Sequence, residues 1–230
     1  MAVSCCGLVG CTSTVDGQAH RNPVETSAAA DGAMVPPDRL DSVLLSSAEA
    51  NAAMGATAMT ISDDAVGLYL DSAGEKWSNP ECQGAAFVGL QSTYEGSGYL
   101  EARIRRLTEP GDTVDHIVIQ AAMAYPTAAA AGVSVDNAAK AWAACGGKNT
   151  VLEHRGDAPA STRAWSIGIP TTSDGITTTL NYQEAGGGWS CARSLSASSN
   201  VLLDISACGH GATAADGVAV MTKALSKLPQ

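Results

Sequence analysis

Seven cysteines constrain this chain more than any other feature, because they fall into two groups with different chemistry. Cys5, Cys6 and Cys11 crowd the N-terminus, while Cys82, Cys145, Cys191 and Cys208 are spread through the body. No Cys-x-x-Cys pair occurs, and of the four histidines only His210 lies near a cysteine. A zinc site needs several such ligands at close spacing, so neither a metal nor another cofactor is expected. Paired disulfides fit the body cysteines better and imply an oxidising compartment outside the cytoplasm. Four cysteines allow three pairings, and four inert buried thiols are the alternative.

The N-terminal group has its own reading. Residues 2–10 are small and apolar, Leu8-Val9-Gly10 leads into Cys11, and a polar stretch rich in Ser, Thr, Ala and Gly follows. Leu-Val-Gly-Cys resembles the bacterial lipobox, in which a peptidase cuts before the cysteine and the thiol carries lipid. Several acyl chains then hold a protein to a membrane where one chain is marginal. A signal peptide begins with positive charge, yet no Lys or Arg precedes Arg21. The expectation is a start codon assigned too late. Residues 1–10 are then a signal remnant, 11–37 a lipid-anchored flexible tether, and 38–230 the extracytoplasmic domain.

The net charge is −10 and no segment concentrates Lys or Arg, which speaks against nucleic-acid binding. No apolar run is long enough to span a bilayer, so membrane contact is expected through the anchor alone.

Periodicity then outlines the domain. After Pro36-Pro37, Asp38 is a candidate N-cap, and Leu40, Val43, Leu44 and Ala48 recur at helical spacing to about Asn51. Residues 54–71 are ambiguous. Residues 77–80 form a loop, and 81–90 carry a helical signal. Residues 99–107 and 114–125 alternate as two strands around a Gly111-Asp112 turn. Thr127 opens a helix whose face holds Ala131, Val135, Ala138, Trp142 and Cys145, and Gly146-Gly147 ends it. Four strands follow, at 164–169, 176–183, 189–195 and 201–207. A last helix, capped by Thr213, presents Val218, Met221, Leu225 and Leu228 as its buried face. The expected fold is α+β: a largely antiparallel sheet of about six strands, helices packed on it, and two disulfides.

A register argument pairs the cysteines. If Ser199-Asn200 centres the turn between the last two strands, Cys191 and Cys208 lie directly opposite each other, near enough to bridge. Val201, Leu203, Ile205 and Ala207 then face the helices. The bridge, Arg193 and Asp204 take what is expected to be the less buried face. Cys82 and Cys145 pair by default.

These features resemble the extracellular sensor domain of PknH-type mycobacterial receptor serine/threonine kinases, a module that also occurs as stand-alone mycobacterial lipoproteins. The resemblance rests on Cys82 with Tyr94-Glu95-Gly96-Ser97-Gly98 after it, Trp142-x-x-Cys145-Gly146, and Trp189-Ser190-Cys191 followed by Asn200-Val201 and Cys208. It implies an α+β fold with both disulfides paired as above and a cleft for an unidentified ligand. It carries over no catalytic residue. The sequence has no kinase Gly-rich loop with its strand lysine, no His-Arg-Asp and no Asp-Phe-Gly.

No other enzyme is signalled. Gly-x-Ser-x-Gly is absent, and Cys208 in Cys208-Gly209-His210 has a better role in a disulfide than as a nucleophile. Asp63-Asp64 reads as a solvated carboxylate pair, and His116 and His154 are isolated. Gly186-Gly187-Gly188 precedes a strand, so it is no phosphate cradle. Tyr94, Tyr99, Tyr125 and Tyr182 are the weak candidates for a ligand site, against the plainer reading of packed tyrosines with surface hydroxyls. The expectation is a non-enzymatic, ligand-binding lipoprotein of a mycobacterial-type envelope. Its partner is an unidentified small molecule or envelope component. An adaptor contacting another envelope protein is the first alternative, and an envelope hydrolase the second.

Overall fold

The computed structural model describes residues 33–71, 75–111, 114–154 and 161–229. Cys11, the expected signal remnant and most of the expected tether lie outside these residues.

The chain begins its packing at Val35, which is buried, and enters a 3-10 turn at Pro37–Val43. Helix α1, Ser47–Met54, follows after a break. Strands β1, Thr60–Val66, and β2, Glu75–Trp77, come next. The short helices α2, Gln83–Ala86, and α3, Gln91–Tyr94, precede the hairpin of β3, Glu101–Thr108, and β4, His116–Ala124. Helix α4 spans Ala128–Cys145. Strands β5, Asn149–His154, β6, Ser161–Ser166, β7, Thr171–Ser173, and β8, Ile176–Gln183, lead to the hairpin of β9, Trp189–Ser198, and β10, Val201–His210. Helix α5, Ala214–Leu225, closes the fold.

The strands form one sheet in the order β1-β3-β4-β10-β9-β8-β6-β5-β2, with β7 beside β8. Every pairing in it is antiparallel. The expected class, α+β with an antiparallel sheet and two disulfides, is observed, but the sheet has 10 strands rather than about six. Of the four unforeseen strands, β5 buries Thr150 and Leu152, and the other three give little apolar signal. β1 is exposed at six of its seven positions, and β2 and β7 have three residues each. Pairing with a neighbour, not burial of one face, holds them extended.

Helices cover the sheet on both sides, giving two cores. Leu40, Leu44, Met59, Leu203, Ile205 and Met221 belong to the core under α1 and α5. Ile104, Met123, Trp142, Trp165, Leu195 and Leu202 belong to the core under α4. Cys191, Arg193, Asp204 and Cys208 therefore do not sit on a less buried face. They lie beneath α4 and its neighbours, each at most 5% exposed.

The expected helix to Asn51 is interrupted. Asp38 lies in the first turn of the 3-10 segment, whose N-cap is Pro36. The chain extends at Leu44, and α1 restarts with a capping box between Ser46 and Glu49. The break is fixed by Gln120, whose side-chain oxygen accepts from the Leu45 N–H at 2.7 Å. At the other end of the chain the buried face of α5 is turned by one step. Val220, Met221 and Ala224 are buried, while Val218 is 39% exposed.

Other local signals act as read. Thr127 Oγ1 accepts from Ala130 N–H to cap α4, and Thr213 and Asp216 form a capping box on α5. Asn200, at the β9–β10 turn, accepts from Val35 N–H at 2.8 Å and donates to the carbonyls of Val35 and Tyr125, both at 3.0 Å. The turn thus pins the segment where the chain enters the domain. Among the described residues no helix is long and apolar enough to cross a membrane.

Candidate ligand-binding face

The β9–β10 hairpin sets the geometry of the face under α4. Its register pairs Cys191 with Cys208 and Val201 with Ser198 around the Ser199-Asn200 turn, and the two cysteines form a disulfide with Cα atoms 4.0 Å apart. Cys82 and Cys145 form the second, with Cα atoms 5.6 Å apart. Cys208 therefore has no free thiol for nucleophilic catalysis.

Arg193 pairs with Ser206 in the same ladder, so its diagonal neighbour on this face is Asp204. Arg193 Nη2 and Asp204 Oδ1 form a fully buried ion pair. Charges removed from water need further partners, and these have them. Asp204 Oδ2 accepts from the Tyr94 hydroxyl at 2.9 Å and from Gly89 N–H at 3.0 Å. Arg193 Nη1 donates to the Gly84 carbonyl at 3.0 Å, and its guanidinium lies 4.8 Å from the Trp142 ring centroid. Burial, with the Asp204 charge beside it, pushes the Tyr94 phenol well above its ordinary pKa, although Arg193 opposes this. Tyr94 therefore stays a proton donor.

These bonds hold residues 84–89 as a strap across the sheet. Asn181 adds a bond from its amide to the Ala85 carbonyl at 2.8 Å. The Cys82–Cys145 bridge fastens the start of the strap to the end of α4. Gly89 has φ +64°, and a Cβ there would sit 2.6 Å from Ile104 Cδ1, so any other residue is strained there.

The strap divides the face into two concavities. The first, about 420 Å³, opens between α4 and residues 92–97. Glu81, Glu95, Ser134 and Asn137 make much of its wall polar, and Tyr94 and Trp142 line its floor. The second, about 360 Å³, is a trough on the other side of the strap. Phe87 and Val88 wall it. Ile117, Ile119, Trp189, Trp165 and the Cys191–Cys208 bridge contribute its apolar surface, and Arg106 and Arg163 stand on its rim. Among the described residues no Asp or Glu lines it.

The candidate tyrosines do not converge. Tyr94 reaches the first concavity with its hydroxyl committed to Asp204. Tyr125 is fully buried, and its hydroxyl bonds Ser134 at 2.7 Å and Ser97 at 3.1 Å. Tyr99 packs half-buried at the edge of this core, and Tyr182 is 52% exposed. The other groups weighed for chemistry are also occupied. Asp64 pairs with Arg103 and Arg105, Asp63 accepts from the Tyr69 hydroxyl, and His116 Nδ1 meets Glu109 at 2.7 Å. Among the described residues no group of three or more His, Cys, Asp or Glu could hold a metal ion.

Sequence reasoning missed the trough residues Phe87, Arg106, Arg163 and Trp165. One signal was present. Ala102 and Ile104 share the face under α4, and Arg106 continues their phase, so a charge stands where alternation calls for an apolar side chain.

Residues 35–227 match the family described as PknH-like extracellular domain. The serine/threonine-protein kinases PknH of Mycobacterium tuberculosis H37Rv and Mycobacterium bovis AF2122/97 are each 35% identical over 176 residues, or 76% of this chain. The chain spans little more than a quarter of their length, 27% and 28%. The crystal structure of the extracellular domain of PknH from M. tuberculosis is similar with a TM-score of 0.77 and 32% identity, covering 85% of this chain and 98% of that one. The antiparallel sheet, the two bridges and these likenesses together place the chain in the PknH-like extracellular domain family.

Proposed function

We propose that this chain is a non-catalytic ligand-binding domain of the sensor type, displayed on the outer face of a mycobacterial-type cell envelope by lipid on Cys11. One observation carries the ligand-binding part. Helices cover both faces of the sheet, yet the trough beside the strap leaves Ile117, Ile119, Phe87 and Trp189 half-buried in a concave site. Unsatisfied apolar surface in a preformed concavity with a few polar groups on its rim is the usual make-up of a small-molecule site. The disulfide beneath it and the strap beside it hold its shape without a ligand, so little ordering cost falls on binding.

Display outside the cytoplasm is supported by the extracellular family and by two disulfides, which persist in oxidising compartments. Anchoring is supported by Leu8-Val9-Gly10-Cys11 and the polar stretch after it.

The test is native mass spectrometry of the full chain from an envelope-competent actinobacterial host, beside the same sample denatured. A mass lost on denaturation is the expected result. Equal masses, with no small molecule released into solvent extracts, refute the ligand-binding reading. Membrane-fraction protein that becomes soluble on Cys11→Ser supports the anchor, and an unchanged distribution removes it.

A further inference from the structure

The trough carries more than an apolar surface, and its charge pattern points to a ligand class. The chain has 23 acidic and 13 basic side chains, so a concavity lined, among the described residues, by two arginines and no acid runs against the bulk composition. Elsewhere on the sheet arginines are paired: Arg103 and Arg105 meet Asp41 and Asp64, and Arg193 meets Asp204. Among the described residues neither Arg106 nor Arg163 has an ion-pair partner. Asp63 is opposite Arg106 in the β1–β3 ladder, but its carboxylate accepts from the Tyr69 hydroxyl at 3.0 Å instead.

The donors gather at one end. Trp165 and Gln183 are direct cross-strand partners on β6 and β8, and Arg163 lies two residues before Trp165, on the same face. All three line the trough. The indole N–H of Trp165 is buried and has no hydrogen-bond partner. A buried donor left unpaired is costly, and the residue that carries it lines the trough. Guanidinium, indole N–H and carboxamide together match the acceptors of a phosphate, sulfate or carboxylate.

The apolar part runs away from that end. From β6 to Arg106 on β3 the trough crosses β8, β9, β10 and β4, five strand spacings or ~24 Å. A path of that length lined by Trp189, the Cys191–Cys208 bridge, Ile117 and Ile119 suits an extended hydrocarbon chain. A free inorganic anion would leave this surface uncovered, and a neutral chain would leave the donors unpaired. We infer that the trough binds a single-chain anionic amphiphile, its head held by Arg163, Trp165 and Gln183 and its tail laid across β9, β10 and β4. This inference rests on the ligand-binding reading above.

The experiment titrates the full oxidised chain, followed by tryptophan fluorescence and calorimetry, with dodecyl phosphate below its micelle concentration, with 1-dodecanol, and with inorganic phosphate. The expected result is binding of dodecyl phosphate at least tenfold tighter than 1-dodecanol, and no detectable binding of inorganic phosphate. Arg163→Gln, at an exposed position, should erase the preference and keep the 1-dodecanol affinity. Arg39→Gln, outside the trough, should change nothing. Thermal melting of each variant separates lost binding from lost folding. Equal affinity for dodecyl phosphate and 1-dodecanol overturns the anionic head while leaving an apolar ligand site. Inorganic phosphate binding as tightly as dodecyl phosphate overturns the tail. Binding of none of the three overturns both this inference and the placing of the ligand in the trough.

Discussion

Arg193 and Asp204 face each other diagonally across the β9–β10 ladder, wholly out of water, and bond the 84–89 strap at the Gly84 carbonyl and the Gly89 N–H. Removing one charge strands the other in the core. Arg193→Met or Asp204→Asn should each lower unfolding free energy by about 3–5 kcal/mol. Urea unfolding with both disulfides intact checks this. A loss under about 1 kcal/mol in both variants would mean that solvent reaches the pair.

The two bridges should differ in worth. Cys82–Cys145 closes 63 residues and Cys191–Cys208 closes 17. In the chain-entropy treatment these contribute about 4 and about 3 kcal/mol. The Cys82→Ala/Cys145→Ala double variant should therefore melt below Cys191→Ala/Cys208→Ala. It should also free the strap, seen as faster amide exchange at residues 84–89. The reverse order of melting would show that ladder hydrogen bonding, rather than loop closure, decides.

Glu49 gives a pH signature. Its carboxylate accepts from the Ser46 N–H at 2.9 Å and from Lys227 Nζ at 3.0 Å, and these hold its pKa down at about 2 against partial desolvation. A carboxyl whose folded pKa is depressed contributes stability above its ordinary value of 4.5, and this is lost as pH falls toward 2. Glu49→Gln should melt below the parent chain at pH 7, and the gap should close by about pH 2. Melting temperatures across that range decide it, and a gap independent of pH would contradict the assignment.

Gly89 is strained for any other residue. Gly89→Ala meets both a positive φ of 64° and a side chain 2.6 Å away, and it should cost about 2 kcal/mol or more. Gly55→Ala has φ 65° with open space around it, so only the backbone part, about 1–2 kcal/mol, should remain. The difference in denaturation midpoints measures the clash alone. Equal losses would show that Ile104 moves aside freely.

What could be read in the sequence follows from how local each signal is. The Cys191–Cys208 register was legible because a symmetric turn fixes every cross-strand pair from one position. The caps at Thr127 and Thr213 were legible because a cap is chemistry within four residues. β1 was not legible, since Asp63 and Asp64 on an exposed edge look like loop until Arg103 and Arg105 are placed beside them. The break before α1 hid for a related reason. Leu40, Val43 and Leu44 keep helical spacing, and only Gln120, 75 residues from Leu45, ends the run. The trough was least legible of all. Its rim arginines come from β3 and β6, which meet across one surface only through the order of the sheet.

The Asn200 clamp gives the domain a direction. Val35 is held by Asn200, and near the last residues Ser198 Oγ donates to the Pro229 carbonyl at 3.4 Å, so the polypeptide enters and leaves at the same tip of the β9–β10 hairpin. Cys191 and Trp189 lie eight and ten residues along β9 from Ser199, ~26 Å or more toward the opposite pole. The trough therefore lies at the pole of the sheet opposite the tip at which Val35 and Pro229 are held.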